Sequence, residues 1–252
     1  MKRIFITGGA SGIGQATARL FHKNGWQVGI TDVNEVALRA TAAELDGCWY
    51  RPLDVTDDLA CQHAARDFAA EGGLDVLFNC AGILQMGQFE NISAARHKSI
   101  IDINVTGLMN MSLAAYPHLK ESDKPVVINM SSASAMYGTP HFASYSASKF
   151  AVRALTGALD VEWGRQGIRV VDVMPPFVNT PMVNDADFRA PVIDRMGVNL
   201  DAEDIAATVW HTATHVTPVH NPVSGKFKIL VLGNKLLPGA ATRRLMQFLS
   251  RE

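Results

Sequence analysis

Apolar positions along the chain follow two rhythms that alternate. The runs "RIFIT", "QVGITD", "CWYRPLD", "LDVLFN", "PVVINMSS", "IRVVDVMP" and "KFKILVLG" are short, and several are apolar on consecutive residues. That is the pattern of strands covered on both faces. Between them, "GQATARLFHKNG", "EVALRATAAEL", "LACQHAARDFAAEG", "AARHKSIIDINVTGLMNMSLAAYPHLK" and "YSASKFAVRALTGALDVEWGRQG" read as helices. Parallel strands need crossover connections, so strand and helix in alternation predict an α/β fold, a doubly wound parallel sheet with helices on both faces. There is no internal repeat and no low-complexity linker, which predicts one domain over residues 1–252, with a loop region at 182–200 and a helical tail at 234–252.

Composition narrows the class. Apolar residues make up 48% of the chain and charged ones 19%, enough for a substantial core. A formal charge of −1 gives no electrostatic reason to expect nucleic acid as a ligand. Cys48, Cys61 and Cys80 form no CxxC and have no His cluster nearby, so they predict reduced thiols and no metal framework. The opening "MKRIFITGGASG" is too short in apolar residues for a signal-peptide core, and no run approaches the roughly 18 needed to span a membrane. The expectation is a soluble, cytoplasmic protein.

The first strand runs directly into glycines and then a helix, "RIFITGGASGIGQATARLF", with Gly8, Gly12 and Gly14 in the spacing GxxxGxG. Glycines at such a turn let the chain bend tightly and let a pyrophosphate approach, and the helix N-terminus behind them offers free N–H groups. Asp32 ends the second strand, about 20 residues on, where a carboxylate can accept adenosine ribose hydroxyls and would repel a 2′-phosphate. Ser11, preceding the second glycine, is not a basic side chain that could bind that phosphate. NAD(H) is therefore favoured over NADP(H).

In "YSASK", Tyr145 and Lys149 are four apart and leave one face of a helix. A free tyrosine has a pKa near 10, and a neighbouring ammonium is expected to lower it towards the working range of a general base. The small residues between them, Ser146, Ala147 and Ser148, leave room for a substrate.

With "TGGASGIG", "NCAG", "DINVTG", "MSSASAMYG" and "YSASK" in this order, the chain resembles the short-chain dehydrogenase/reductase family, in its branch with TGxxxGxG and YxxxK, from Lys2 to about Gly233. The resemblance implies a Rossmann fold and an NAD(P)-dependent oxidoreductase interconverting a secondary alcohol and a ketone. It assigns Thr7, Gly8, Ser11, Gly12, Ile13 and Gly14 to the phosphates and ribose, Asp32 to the adenosine ribose, and Asp54 and Val55 to the adenine. Asn79, Ala81 and Gly82 would close the fourth strand against the cofactor, with Cys80 where the family most often has Asn. Ser132 would orient the substrate oxygen, Tyr145 would be the acid/base, and Lys149 would also bind the nicotinamide ribose. Asn104 would hold a water in a proton relay. In "MPPFVNTPM", Val178 and Thr180 would contact the carboxamide, and Pro176 stands in place of the family glycine.

The substrate side is less marked. Phe177, Met182, Phe188, Ile193 and Met196, with Met136, His141 and Phe142 opposite, suggest an apolar lid suited to a small to medium hydrophobic alcohol or ketone. The family commonly closes on a strand; here "KFKILVLG" is read as that strand, and the chain runs on into a basic amphipathic tail. Leu245, Met246, Phe248 and Leu249 are expected to form an apolar face, with Arg243, Arg244 and Arg251 on the other side. That tail reads as a packed helix, with a lid or a weak membrane-surface contact as alternatives. The resemblance also implies a homodimer or homotetramer formed through the helices that carry Asn104 and Tyr145. The alternative function is a non-catalytic NAD(H)-binding regulator on the same fold, whose usual sign, loss of the Tyr or Lys, is absent here.

Overall fold

The structure is a computed structural model that describes residues 1–236 and 239–251, with the backbone alone for 226, 230, 232 and 234–236. Three residues of the expected tail, Leu237, Pro238 and Glu252, lie outside the described residues. The strands are β1 (Arg3–Thr7), β2 (Gln27–Asp32), β3 (Trp49–Pro52), β4 (Val76–Asn79), β5 (Val126–Met130), β6 (Arg169–Met174), β7 (Val178–Asn179), β8 (Leu200–Asp201) and β9 (His220–Pro222). The helices are α1 (Gly12–Lys23), α2 (Glu35–Ala43), α3 (Asp58–Ala69), α4 (Ala94–Ile101), α5 (Leu108–Leu119), α6 (Ala143–Gly164), α7 (Pro181–Asn184), α8 (Pro191–Met196), α9 (Ala202–Thr214), α10 (Gly225–Leu236) and α11 (Gly239–Leu249).

Among the described residues, seven strands form a parallel sheet in the order β3-β2-β1-β4-β5-β6-β9, while β7 and β8 pair separately. Strand order reverses direction between β1 and β4, and the crevice outside the carboxyl ends at such a switch point is where open α/β sheets bind ligands. Alternate residues along each strand enter opposite layers, as the period of two requires. Ile4, Ile6, Val28, Ile30, Phe78 and Ile128 pack in one core layer, which includes Ala18 and Phe21 of α1 and Val209 of α9. Phe5, Leu77, Val127 and Val170 pack in the other, with Phe68 of α3 and Met111 of α5. Both faces are buried, which is why these runs read as continuously apolar.

Two elements differ from the sequence reading. The long helix expected around "DINVTG" is continuous, but its turn at Asp102–Gly107 widens to π geometry between α4 and α5. "KFKILVLG" is a helix rather than a strand: it belongs to α10, and the three residues of β9 take the sheet edge beside β6. The alternating start of the segment, Lys-Phe-Lys-Ile, suggested a period of two. The packing follows a period of four instead, with Phe227 and Val231 both meeting Ala135 and Met174. Ser224 starts the helix: its backbone adopts φ +72° and its hydroxyl accepts a hydrogen bond from the Phe227 N–H at 3.3 Å.

Candidate active site

One cleft of about 1100 Å³ opens above the carboxyl ends of the strands and runs from Asp32 and Asp54, past Tyr145, to Leu249. At its first end the β1–α1 turn is built around close backbone approach. Gly8 has φ +69°, and a Cβ at Gly14 would sit 2.0 Å from the Gly8 carbonyl oxygen, so neither place tolerates a side chain. Ser11, Gly12, Ile13 and Gly14 face the cleft, the Ser11 hydroxyl does not cap α1, and the first turn of α1 has no acidic residue. Its N–H groups are thus left for a ligand of negative charge.

Asp32 stands at the rim. One carboxylate oxygen accepts from the Ala10 N–H at 3.1 Å and the other from the Asn34 N–H at 3.0 Å, which ties the side chain to both the glycine turn and the start of α2. Asp54 also reaches the cleft, with one oxygen held by the N–H and hydroxyl of Thr56 at 2.9 and 2.8 Å. Val55, Ala81, Gly82, Val178 and Thr180 line the walls. Thr7 and Asn79 make hydrogen bonds within the protein. The Thr7 hydroxyl accepts from the Cys80 and Ala81 N–H groups at 3.1 Å each, joining the ends of β1 and β4. Asn79 donates to the Ser112 hydroxyl and Asn129, both at 3.0 Å, in the buried layer beneath.

The hydroxyls of Thr31 and Ser131 are buried on the cleft wall and find no hydrogen-bond partner among the described residues. Buried polar groups are normally satisfied, so these two mark places where a polar ligand completes the wall. Together with the glycine turn and Asp32, the residues present fit a nicotinamide dinucleotide.

At the middle of the cleft, α6 brings Tyr145 and Lys149 to the surface of β5. The Ser132 hydroxyl hydrogen-bonds the Tyr145 phenol and also accepts from the Ser134 N–H at 3.1 Å. Lys149 is only 5% exposed, donates to the Met130 carbonyl at 2.8 Å, and has its Nζ 5.5 Å from the Tyr145 ring centre. Asn104 comes from the π turn. Its side chain bonds both backbone groups of Ile83, at 2.8 and 3.0 Å, and donates to the Ser148 hydroxyl at 3.0 Å. A Cβ at Gly82 would meet Asn104 at 3.1 Å and the Lys149 Nζ at 3.8 Å, so a glycine here lets these groups converge. Single π turns of this kind often sit at functional sites.

The electrostatics correct one expectation. Burial pushes the Tyr145 phenol up to about 12, against the opposing hydrogen bond from Ser132, rather than down. Burial also pushes Lys149 down to about 8, and its Nζ is directed at the Met130 carbonyl. Desolvation is the largest cause at both groups, and Lys149 is not among the groups that act on the Tyr145 phenol. Cys80 beside them is pushed up to about 12 by burial and stays a neutral thiol.

The chain matches the short chain dehydrogenase family over residues 2–189. It belongs to that family. Among relatives of this short chain dehydrogenase, a 2,5-dichloro-2,5-cyclohexadiene-1,4-diol dehydrogenase of Sphingobium indicum is 35% identical over 244 residues, covering 90% of this chain and 96% of that protein. A 3-alpha-(or 20-beta)-hydroxysteroid dehydrogenase of Mycobacterium bovis is 39% identical over 186 residues, 73% of this chain and 71% of that one. In solved structures, a 3-ketoacyl-(acyl-carrier-protein) reductase from Brucella melitensis complexed with NADH superposes with a TM-score of 0.80 at 27% identity. That match covers 89% of this chain and 97% of that one. A short chain dehydrogenase from Mycobacterium paratuberculosis bound to NAD gives the same TM-score and identity, over 88% and 96% of the two chains. The chain is thus an oxidoreductase of this family with a Rossmann fold.

Toward its second end, the cleft of this short chain dehydrogenase is lined by Met136, Phe142, Phe177, Met182 and Met196. Phe188 and Ile193 instead pack the loop from behind, beside Met86 and Val192. His141 adopts φ +67° and leans on Phe188 with ring centres 5.4 Å apart. Sequence reading missed Phe227, Ile229 and Val231 of α10 as cleft residues. Their signal was the i, i+4 pair Phe227 and Val231, hidden by the strand-like alternation around it.

Proposed function

We propose that this short chain dehydrogenase interconverts a hydrophobic secondary alcohol and its ketone with NAD(H), using Tyr145 as the proton donor and acceptor. The observation that carries the reading is the cluster of buried Ser132 and Lys149 with half-buried Tyr145, set midway along one cleft between its glycine-turn end and an apolar end. When bound, the nicotinamide supplies the hydride acceptor or donor. The N–H groups at the start of α1 would hold the pyrophosphate, Asp32 the adenosine ribose hydroxyls, and Asp54 and Val55 the adenine.

For reduction, Ser132 and Tyr145 grip the carbonyl oxygen with two hydroxyls. With its pKa pushed up to about 12, the phenol is protonated at neutral pH, the form that delivers a proton to the oxygen as it becomes an alkoxide. For oxidation, Tyr145 takes that proton back, and the Lys149 ammonium is the positive charge available to steady the phenolate. Asn104, tied to Ile83 and Ser148, is assigned to the proton path behind Lys149.

Two features support NAD(H) over NADP(H). The Asp32 carboxylate lines the cleft beside the glycine turn and would repel a 2′-phosphate bound there, and among the described residues Lys149 is the one lysine or arginine along the cleft. We assign this activity to a single domain. Apolar side chains exposed on α5 and α6, Leu113 and Phe150 among them, support pairing of copies through those helices. Among the described residues, no helix is long and apolar enough to cross a membrane.

Absorbance of NADH, followed across a panel of hydrophobic ketones and alcohols, tests the reading. Turnover with NADH over NADPH is expected, and Tyr145→Phe should lower kcat by about 10²- to 10⁴-fold while leaving NADH binding intact. Tight NADH binding without turnover on any ketone would favour the regulatory alternative. Preference for NADPH would overturn the role of Asp32.

A further inference from the structure

Three surfaces meet at the second end of the cleft, and one of them comes from beyond the residues matched to the family. Thr242, Leu245, Met246 and Leu249 of α11 are spaced three and four apart, so they share one helix face, and all four line the cleft that contains Tyr145. Leu249 packs in the same apolar cluster as Phe142, Phe177 and Tyr145. Arg243 and Arg244 are exposed.

The helix is also fastened in place. Arg195 of α8 donates to the Phe248 carbonyl of α11 at 2.6 Å, and its guanidinium stands 5.7 Å from the Phe248 ring centre. On the same cleft, α10 is anchored through Phe227, which is buried against Ala135 and Met174, a few residues from Ser132. Through Leu249, α11 packs in the cluster that holds Tyr145 itself.

We propose that α11 is the substrate-selecting wall of this enzyme, and that it selects an uncharged alcohol or ketone whose apolar body extends beyond a single ring. The inference rests on the dehydrogenase reading and deepens it by naming the substrate class. The cleft's volume of about 1100 Å³ exceeds the ~300–1,000 Å³ range of ligand pockets, and its lining continues past Tyr145 to α11. The charged side chains along the cleft are Asp32 and Asp54 at the first end and Lys149 at the floor, and none lines the second end among the described residues. A substrate with a carboxylate or phosphate tail would be desolvated there without a counter-charge, which is costly. An apolar ring system would replace water along Leu245, Met246 and Leu249.

The test compares cyclohexanone with 4-cyclohexylcyclohexanone, which presents the same carbonyl on a body one ring longer. In wild type, kcat/KM with NADH is expected to be at least about tenfold higher for the longer ketone, the scale on which apolar pockets discriminate. Met246→Trp and Leu249→Trp fill the wall. Each should remove most of that preference by costing the longer ketone more than cyclohexanone, and Met246→Leu, which conserves volume, should retain it. Calorimetric titration of the NADH-loaded protein with the longer ketone gives a readout without turnover, and its affinity should fall about tenfold in the Trp variants at unchanged NADH affinity.

Equal losses for both ketones, or a wild type that prefers cyclohexanone or a keto acid, would overturn the proposal and leave the dehydrogenase reading standing. If no ketone turns over but the longer one binds and the Trp variants weaken it, the wall stands and the activity falls.

Discussion

At Gly14 a single added methyl group would lie 2.0 Å from the Gly8 carbonyl oxygen. At the other end of the same cleft, Met182, Met196 and Met246 form wall with flexible side chains that adapt to one another and to a ligand. The first end is specified by backbone: a turn in which a Cβ does not fit, N–H groups at a helix start, and a carboxylate held by two more N–H groups. The second end is specified by shape and the absence of charge, which many combinations of apolar residues can supply. A site that must grip one fixed molecule can be rigid, whereas a wall that sets substrate identity has to be replaceable without disturbing the rest.

The largest effect that would break this contrast belongs to the glycine turn. Gly14→Ala should cost about 3 kcal/mol or more of stability, or abolish NADH binding in whatever folds, because the obstacle is backbone and cannot rotate away. Denaturant unfolding and NADH fluorescence titration read both quantities. A Gly14→Ala protein with near wild-type stability and NADH affinity would mean the turn is not the rigid element described here.

The floor between the two ends gives the next effect. Lys149 is held at about 8 by burial, below the 10.5 it has in the unfolded chain, so the folded state disfavours its charge. Between those values the unfolded chain binds the extra proton, and stability rises with pH through that window. Below about 8 the full cost is present. Lys149→Met removes it and should gain up to about 3 kcal/mol relative to wild type near pH 7, with the gain shrinking towards pH 10.5. Urea unfolding at pH 7, 9 and 10.5 measures the trend. A gap that widens with pH would show that the ammonium is stabilised where it lies.

The same contrast explains what could be read from the chain. The glycine turn, Asp32 and the Tyr145–Lys149 pair were legible because each depends on a residue type at a fixed spacing. The strands buried on both faces were legible from continuous apolar runs such as "VVINM". The level of the Tyr145 pKa was not, since spacing shows that an ammonium is near but not that both groups share a dry floor. Nor was the use of the Thr7 hydroxyl, which is spent on Cys80 and Ala81 more than 70 residues away. The final segment misled because "KFKILVLG" satisfies a strand's alternation locally, and only the tertiary partners Ala135 and Met174 select the helical face. Helix and strand are hard to separate in a short apolar run for this reason.

The smallest effect sharpens the comparison most, because it separates holding a wall from building it. Arg195 and Phe248 are both exposed, so their hydrogen bond and ring contact are screened and should contribute only about 1 kcal/mol or less. Arg195→Ala should therefore leave global unfolding within about 1 kcal/mol of wild type. Its consequence would be local. Loss of the bond from α8 frees the last turn of α11 to open, and local opening of a weakly held helix is read by hydrogen exchange rather than by global stability. Faster amide exchange in α11, with unchanged exchange in α1 and β1, is the expected outcome. A rise in KM for the longer ketone at constant kcat should accompany it, since a loosened wall weakens binding without touching Tyr145. Uniformly faster exchange across the sheet would instead make Arg195 a support of the whole fold, and the two ends of the cleft would no longer be separable.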